Sequence, residues 1–411
     1  MRAEGPPRPE SLPRMKILVL NGGSSGLKAM LWDTATLPDR PVPTIWEARV
    51  DWGRHAGCAE LRIRTERGEE TETLPITSPD QVLQPVLQAA LAVSPVDVAG
   101  HRVVHGGKAF RETTRITPQV RAEIARLVEF APEHNRLELE AIDTAERMLP
   151  SGTPQVAVFD TAFHSSLPEE AVVYPGPYNW LTDGVRRYGF HGISHQYVSR
   201  RAAQILGRDD LRLVTCHLGN GASLAAVKAG KSIDTTMGFT PLEGLMMGTR
   251  SGSIDPGIII YLVRHCGYRA DDLDRILNKE SGLKGVSGLS ADMRDIEAAM
   301  HAGNTRAKLA FDLYIHRLCR EIGGMVASLG GVDALVFTAG IGENSTLVRQ
   351  RACTQFAFLG VELDGEKNAA SPADVDIATT ESTVRVLVVR TEEDWEIARE
   401  CHRIVKEHGN A

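Results

Sequence analysis

Three short runs set glycine beside asparagine or serine directly after an apolar segment: NGGSSG at 21–26, HLGNG at 217–221 and TAGIGEN at 338–344. Glycine lets the backbone approach a ligand closely, and such turns can aim several N–H groups at one anion. Two arginines, Arg102 and Arg250, stand beside glycine-rich sequence (GHRVVHGG and GTRSG). Either one alone reads as a solvated surface side chain. As a pair flanking phosphate-type turns they read as clamps on a transferring phosphoryl group, whose charge spreads over its equatorial oxygens. Asp160 and Glu393 each follow an apolar run. A carboxylate there can hold Mg2+, which takes one or two protein carboxylates and fills its sphere with water and phosphate. On local grounds Glu393 reads equally well as a first-turn charge of the helix that follows.

Seven of thirteen histidines fall between residues 101 and 217. His191 and His195 are four apart, but no HExxH is present and Gly192 interrupts the segment, which disfavours a metal pair. A histidine that hydrogen-bonds a transferred phosphoryl oxygen is the better functional reading. For His164 and His195 a structural role stays open beside it. No Walker A loop and no GxGxxG occurs, so neither a P-loop nor a Rossmann site is expected.

These residues need elements to hold them. KILVL (16–20) and LKAMLWD (27–33) read as two strands around the first glycine turn. LVTCHLGNGASLAAV (213–227) repeats that plan about 195 residues later, which points to a duplicated architecture. A strand over 96–107 delivers Arg102 and His105, and one over 155–164 runs into Asp160 and His164. Helices are expected from Ser78 as N-cap, from Thr117 with Pro118 at the first position, and near His191. Others are expected at Pro256, at Asp292, over 304–330, and from Glu343 or Asn344. The stretch 236–256 has no clear period yet carries Glu243, Arg250 and Asp255; an irregular run this long is usually functional or disordered, and this composition is not that of disorder. Strands ending in Gly, Asp or Arg turns and separated by helices indicate an α/β protein.

A length of 411 residues fits two domains, and 42% hydrophobic with 24% charged residues fits a globular chain. A net charge of −7 gives no footprint for nucleic acid or an anionic membrane, and no apolar run is long enough to span a bilayer. Six scattered cysteines without a CxxC pair read as reduced thiols of a cytoplasmic protein. The first fourteen residues, with four prolines, read as a disordered extension or a start codon placed too early, and Met15 as the start of the folded chain.

Taken together, LVLNGGSSGLK, GHRVVHGG, FDTAFHSSLPEEAVVYPGPY, RRYGFHGISH, HLGNGASLAAV, DTTMGFTPLEGLMMGTRSGSIDP, FTAGIGENS and TEEDWEIARE resemble the acetokinase family, within the superfamily of actin, heat-shock ATPases and sugar kinases. The resemblance runs from about Met15 to about Glu400. It implies two ribonuclease-H-like (actin-like ATPase) domains flanking a central cleft: residues 15–160, with the C-terminal helix 396–411 packing back on them, and residues 161–395 with the nucleotide site. It implies reversible, direct in-line transfer from ATP to a short carboxylate, acetate giving acetyl phosphate, with Mg2+ (or Mn2+), in a homodimer. By the same resemblance Arg102 and Arg250 hold the carboxylate and the γ-phosphate, and His191 serves the transition state. Asp160 is the catalytic carboxylate, Glu393 the metal-linked one, and Asn21 lies near the metal. Val104, Phe190 and Pro241 belong to the acyl pocket. Lys28, His217, Leu218, Gly219, Asn220, Gly221, Asp292, Met293, Arg294, Gly340, Ile341, Gly342 and Asn344 belong to the nucleotide site.

Three positions depart from the family pattern. Gly26 stands where a third serine is usual in the first loop. Glu133 (APEHNR) stands where an apolar residue usually lines the acyl pocket. Glu392 stands where TNEE has asparagine. A carboxylate beside a substrate carboxylate repels it or is protonated at a cost, so the substrate could be a hydroxy or amino acid. Propionate or butyrate as substrate, and a regulatory nucleotide-binding homologue, are the other readings.

Overall fold

The structure is a computed structural model describing residues 14–23, 26–52, 57–76, 78–129, 132–370 and 373–409, without the side chains of residues 79, 129, 132–134 and 408–409. The expected extension at 1–14 therefore lies almost wholly outside the described residues. The chain divides into two compact units, one from Met1–Val103, Thr113–Val158 and Asp394–Ala411, the other from Val104–Glu112 and Phe159–Glu393.

The first unit holds β1 (Met15–Gly22), β2 (Gly26–Thr34), β3 (Trp46–Asp51), β4 (Cys58–Thr65), β5 (Gly68–Pro75), β6 (Val98–Val103), β7 (Thr114–Arg115) and most of β8 (Gln155–Phe159). They form one sheet in the order β5-β4-β3-β2-β1-β6-β8-β7. The aliphatic run Ile17–Leu20 is buried on both faces, as the inner strand of a covered sheet requires. β1 pairs antiparallel with β2 and parallel with β6. The helix Leu83–Val93 lays Leu83, Val86, Leu87 and Ala90 on this sheet at helical spacing. The last helix, Glu393–Gly409, returns to the same unit through Trp395, whose ring meets Trp32 edge-on at 5.5 Å. Thr117 caps its helix by accepting the Val120 N–H at 3.2 Å, with Pro118 at the first position. Ser78 makes no side-chain cap; the chain enters through a 3-10 turn, Pro79–Val82, before the α-helix begins at Leu83.

The second unit carries β9 (Arg212–Leu218), β10 (Ala222–Lys228), β11 (Lys231–Thr235), β12 (Ala334–Thr338), β13 (Val375–Asp376) and β14 (Arg385–Val388), in the order β11-β10-β9-β12-β14-β13. β9 pairs antiparallel with β10 and parallel with β12, which pairs parallel with β14. With five strands of each sheet numbered in chain order, β3-β2-β1-β6-β8 and β11-β10-β9-β12-β14 are the same 3-2-1-4-5 order, so the repeat seen in two glycine hairpins extends to five strands of each sheet. The helix Thr305–Leu329 buries Ala307, Phe311, Tyr314, Leu318 and Ile322 in this unit's core. Asn304 caps its start, accepting the Ala307 N–H at 2.9 Å.

Two boundaries shift. The strand expected over 96–107 is Val98–Val103, so Arg102 lies within it and His105 beyond it. The helix expected from Glu343 or Asn344 begins at Ala339, where the Glu343 carboxylate folds back and accepts the Ala339 N–H at 2.9 Å. Ser345 then caps a separate helix, Thr346–Thr354.

Candidate active site

In the second unit the chain leaves β8 at Phe159 and enters a tight turn at Asp160, which is buried. The Asp160 carbonyl accepts the Gly192 N–H at 2.8 Å. Gly192 opens the helix Gly192–Leu206, and a Cβ there would sit 2.1 Å from that carbonyl oxygen. Only glycine permits so close a crossing. The preceding residue, His191, is held at φ 55°, the left-handed region that non-glycine residues rarely occupy. Such geometry persists only where the surroundings enforce it.

The imidazole that results sits in a histidine-rich layer. His191 Nδ1 lies 2.9 Å from the Ser223 hydroxyl, and the ring stacks on His217 with centroids 4.2 Å apart. His195, one turn along the helix, is fully buried between the hydroxyls of Thr215 (2.7 Å) and Ser223 (2.8 Å). Burial, with His164 and His217 as neighbours, pushes the His195 pKa well below the usual value. His217 Nδ1 meets the Ser194 hydroxyl at 2.8 Å. A methyl group placed on Gly221 would lie 3.4 Å from His191 Nε2 and 3.6 Å from Arg250 Nη1. The second glycine turn, one imidazole edge and one guanidinium thus converge.

Arg250 rides on the irregular stretch 236–256. Its Nη1 donates to the Pro241 carbonyl at 2.8 Å. The loop is fastened through main chain: Gly248 N–H to Asn220 O (3.0 Å), Ser281 N–H to Thr249 O (2.9 Å), Met247 N–H to Arg250 O (3.1 Å) and Ser253 N–H to Gly244 O (2.9 Å). Glu243 accepts from Arg187 Nη2 at 2.8 Å and from the Tyr174 hydroxyl. Asp255 ends the stretch by capping the helix Pro256–His265. Val104 and Phe190 are buried in the same apolar cluster as Tyr188, and Pro241 is half-buried.

A cavity of about 670 Å3 opens beside the glycine turns, lined by Gly219, Asn220, Ala291, Asp292, Met293, Arg294, Glu297, Gly340, Ile341, Asn344 and Ser345. That volume suits a nucleoside-sized ligand. Asp292 caps the helix Met293–His301 and is forked by Arg294, whose guanidinium holds the carboxyl below its usual range.

In the first unit, Asn21 is buried at the end of β1 and its Nδ2 donates to Asp394 Oδ1 at 2.7 Å. Lys28 Nζ lies 4.0 Å from Asp394 Oδ2. Arg102 is half-buried and donates to the Gly22 carbonyl at 3.2 Å.

The Acetokinase family model matches residues 16–399. The chain belongs to the acetokinase family. An acetate kinase of Gloeobacter violaceus is 57% identical over 399 residues, covering 94% of this chain and 98% of its own length. The crystal structure of Porphyromonas gingivalis acetate kinase superposes with a TM-score of 0.85 at 40% identity, over 95% of this chain and 100% of that one. A propionate kinase from Francisella tularensis gives 0.86 at 35% identity, over 95% and 99%. With these acetokinase neighbours, the 3-2-1-4-5 order of both sheets is the actin-like ATPase fold.

Of the residues expected at an acetokinase nucleotide site, Gly219, Asn220, Asp292, Met293, Arg294, Gly340, Ile341 and Asn344 line the cavity. His217, Leu218, Gly221 and Gly342 do not line it; Leu218 is buried in the core, and Lys28 belongs to the other unit. Sequence reading missed Glu297 and Ser345, joined at 2.5 Å at the cavity wall. It missed Ser223, which by pattern is one more residue of the strand leaving the second glycine turn. It missed Glu343, whose Oε1 accepts the Thr391 N–H at 2.9 Å and so fastens the start of TEED. It also missed Arg349, fully buried and donating to the Gly342 and Glu343 carbonyls at 2.9 and 2.8 Å. At the departures, Gly26 pairs with Asp51, and a Cβ there would lie 2.4 Å from the Val50 carbonyl oxygen. The Glu133 side chain lies outside the described residues.

Proposed function

We propose that this protein transfers the γ-phosphoryl group of ATP reversibly to acetate, giving acetyl phosphate and ADP. The observation that carries the reading is the meeting of His191 Nε2 and Arg250 Nη1 at the Gly221 turn, beside a nucleoside-sized cavity. An acetate oxygen forms the new O–P bond while the bond from the γ-phosphorus to the β–γ bridging oxygen breaks, and ADP leaves with that electron pair. The carboxylate is already ionised at neutral pH, so no strong base is needed. Catalysis is then positioning and charge stabilisation. Arg250 and His191 would meet the equatorial oxygens, Arg102 would hold the acetate carboxylate, and Val104, Phe190 and Pro241 would take its methyl group. Asp160 would orient the phosphoryl centre, and the wall from Gly219 to Asn344 would take the adenosine.

The residues fit Mg2+. Asn21 donates its Nδ2 to Asp394 Oδ1, so its own Oδ1 is the atom it would offer the ion, and Glu393 opens the helix beside Asp394 in sequence. Among the described residues no three His, Cys, Asp or Glu side chains gather as a metal cluster. An oxygen-seeking ion held by one or two protein oxygens, water and phosphate needs none. When bound it would neutralise developing charge on the β- and γ-oxygens.

A homodimer accords with the helix Pro256–His265, which exposes Ile258, Ile260, Tyr261 and Val263 together. No helix among the described residues is long and apolar enough to cross a membrane. None of the six cysteines forms a disulfide among the described residues, which accords with a cytoplasmic setting. Propionate is the second substrate to weigh, since one close structural neighbour bears that activity in its name. The test is acyl phosphate formation, trapped as the hydroxamate, with Mg-ATP and formate, acetate, propionate, butyrate, lactate or glycolate. Acetate is expected to react fastest. A clear preference for a hydroxy acid would overturn the substrate, and no product from any acid while ATP binds would overturn the activity.

A further inference from the structure

Ser223 offers one hydroxyl proton to two imidazoles. It lies 2.9 Å from His191 Nδ1 and 2.8 Å from His195 Nε2, and it is fully buried. At most one nitrogen can accept from it, so at least one must donate. His195 decides which. Burial keeps it neutral, so it carries a single ring proton. Its Nδ1 faces Thr215 Oγ1 at 2.7 Å, and that hydroxyl also reaches the Ala225 carbonyl at 3.3 Å. A carbonyl only accepts, so the Thr215 proton goes to Ala225, and Thr215 accepts from His195 Nδ1–H. His195 Nε2 is then bare and takes the Ser223 proton. Ser223 is left to accept from His191 Nδ1–H.

We infer that Ser223, with His195 and Thr215 behind it, is a positioning residue that locks His191 as the Nδ1–H tautomer. The inference rests on the proposed role of His191. Its consequence is directional: any further proton taken up by His191 must sit on Nε2. That is the edge facing Gly221 and Arg250. A charged donor is thereby built on the side where phosphoryl oxygens would be, while the left-handed backbone at His191 fixes where the ring starts. The arrangement has the logic of an outer hydrogen bond that fixes which ring nitrogen is protonated.

Ser223→Ala and Ser223→Thr test it, with turnover, KM for ATP and ADP binding measured on each. Ser223→Ala is expected to lower kcat by about tenfold, the lower end of the loss on removing an orienting partner, with KM for ATP and ADP binding unchanged. Ser223→Thr keeps the hydroxyl and is expected to recover most of the rate. An Ala variant that turns over like the parent overturns the inference. So does a loss of kcat matched by a loss of ADP binding, which marks a purely structural role. A readout independent of turnover is 15N NMR of the ring nitrogens in the unmodified protein, with His191 assigned by its absence in His191→Gln. A neutral ring protonated at Nδ1 supports the inference; one protonated at Nε2 overturns it. If the parent made no acyl phosphate yet showed the Nδ1–H ring, the proposed activity would fall and the tautomer lock would stand.

Discussion

The Gly192 N–H donates to the Asp160 carbonyl at 2.8 Å, and no side chain fits between them. This one bond joins the turn bearing the buried carboxylate to the helix whose cap is His191. Gly192→Ala would push the two apart. We expect a stability loss of about 1–3 kcal/mol, as for overpacking elsewhere, and a fall in kcat larger than any change in KM for ATP. Thermal unfolding and initial rates check both. A variant with the parent's kcat would show that the spacing does not matter to turnover.

Arg250→Ala is expected to lower kcat by about 10²–10³, the usual cost of removing one donor to developing charge, with ATP affinity nearly constant. Arg250→Lys should recover little, because a point charge cannot reproduce the planar fork that also reaches the Pro241 carbonyl. Arg102→Ala should act chiefly on acetate, through KM and kcat together. Steady-state kinetics in both substrates, with ATP binding by calorimetry, separates these outcomes.

Stability should fall below neutral pH. Burial lowers His101 and His164 from 6.5 to about 4. Between those values the unfolded chain binds protons that the folded chain refuses, so stability rises with pH across that window. The contribution is complete above about pH 6.5 and is lost as pH falls toward 4. At pH 5 the loss amounts to about 2 kcal/mol for each histidine. Urea midpoints at pH 7 and pH 5 measure it; equal midpoints would contradict it.

Ile260→Asp, on the exposed face of Pro256–His265, is expected to convert a dimer to monomers without unfolding either unit. Sedimentation at several concentrations, with circular dichroism as control, reads the result. An unchanged mass would move the association surface elsewhere.

Much of this was legible because the chemistry is concentrated in main-chain turns. NGGSSG and HLGNG announce themselves, and the strands flanking them follow from aliphatic runs. The capping at Thr117, Asn304 and Asp292 is local and readable. What sequence reading lost is non-local. Glu343 looks like a helix start until its carboxylate is seen binding both Ala339 and Thr391. Ser78 has the right type for a cap, yet the following turn is 3-10 and the hydroxyl goes unused there. Ser223 is an ordinary strand residue by pattern; only the approach of the helix Gly192–Leu206 to its strand brings it between two imidazoles. Gly26 reads as a missing hydroxyl, whereas the sheet shows a carbonyl where its side chain would go.

The stretch 236–256 is aperiodic, and aperiodic chain is commonly equated with slack. Here its backbone is bonded to Asn220, to Leu277 and to residues 281–284, and at Gly252 a Cβ would meet the Leu245 carbonyl at 2.3 Å. At Gly244 and Gly252 carbonyl oxygens occupy the volume that a side chain would need, and at Gly238 and Gly248 the Glu243 carboxylate and the Asn220 amide do. In amide exchange this segment will behave like the sheet beneath it rather than like a surface loop. Insertions will be rejected here that other turns accept, because an added residue would break these main-chain bonds and meet the groups already packed against its glycines.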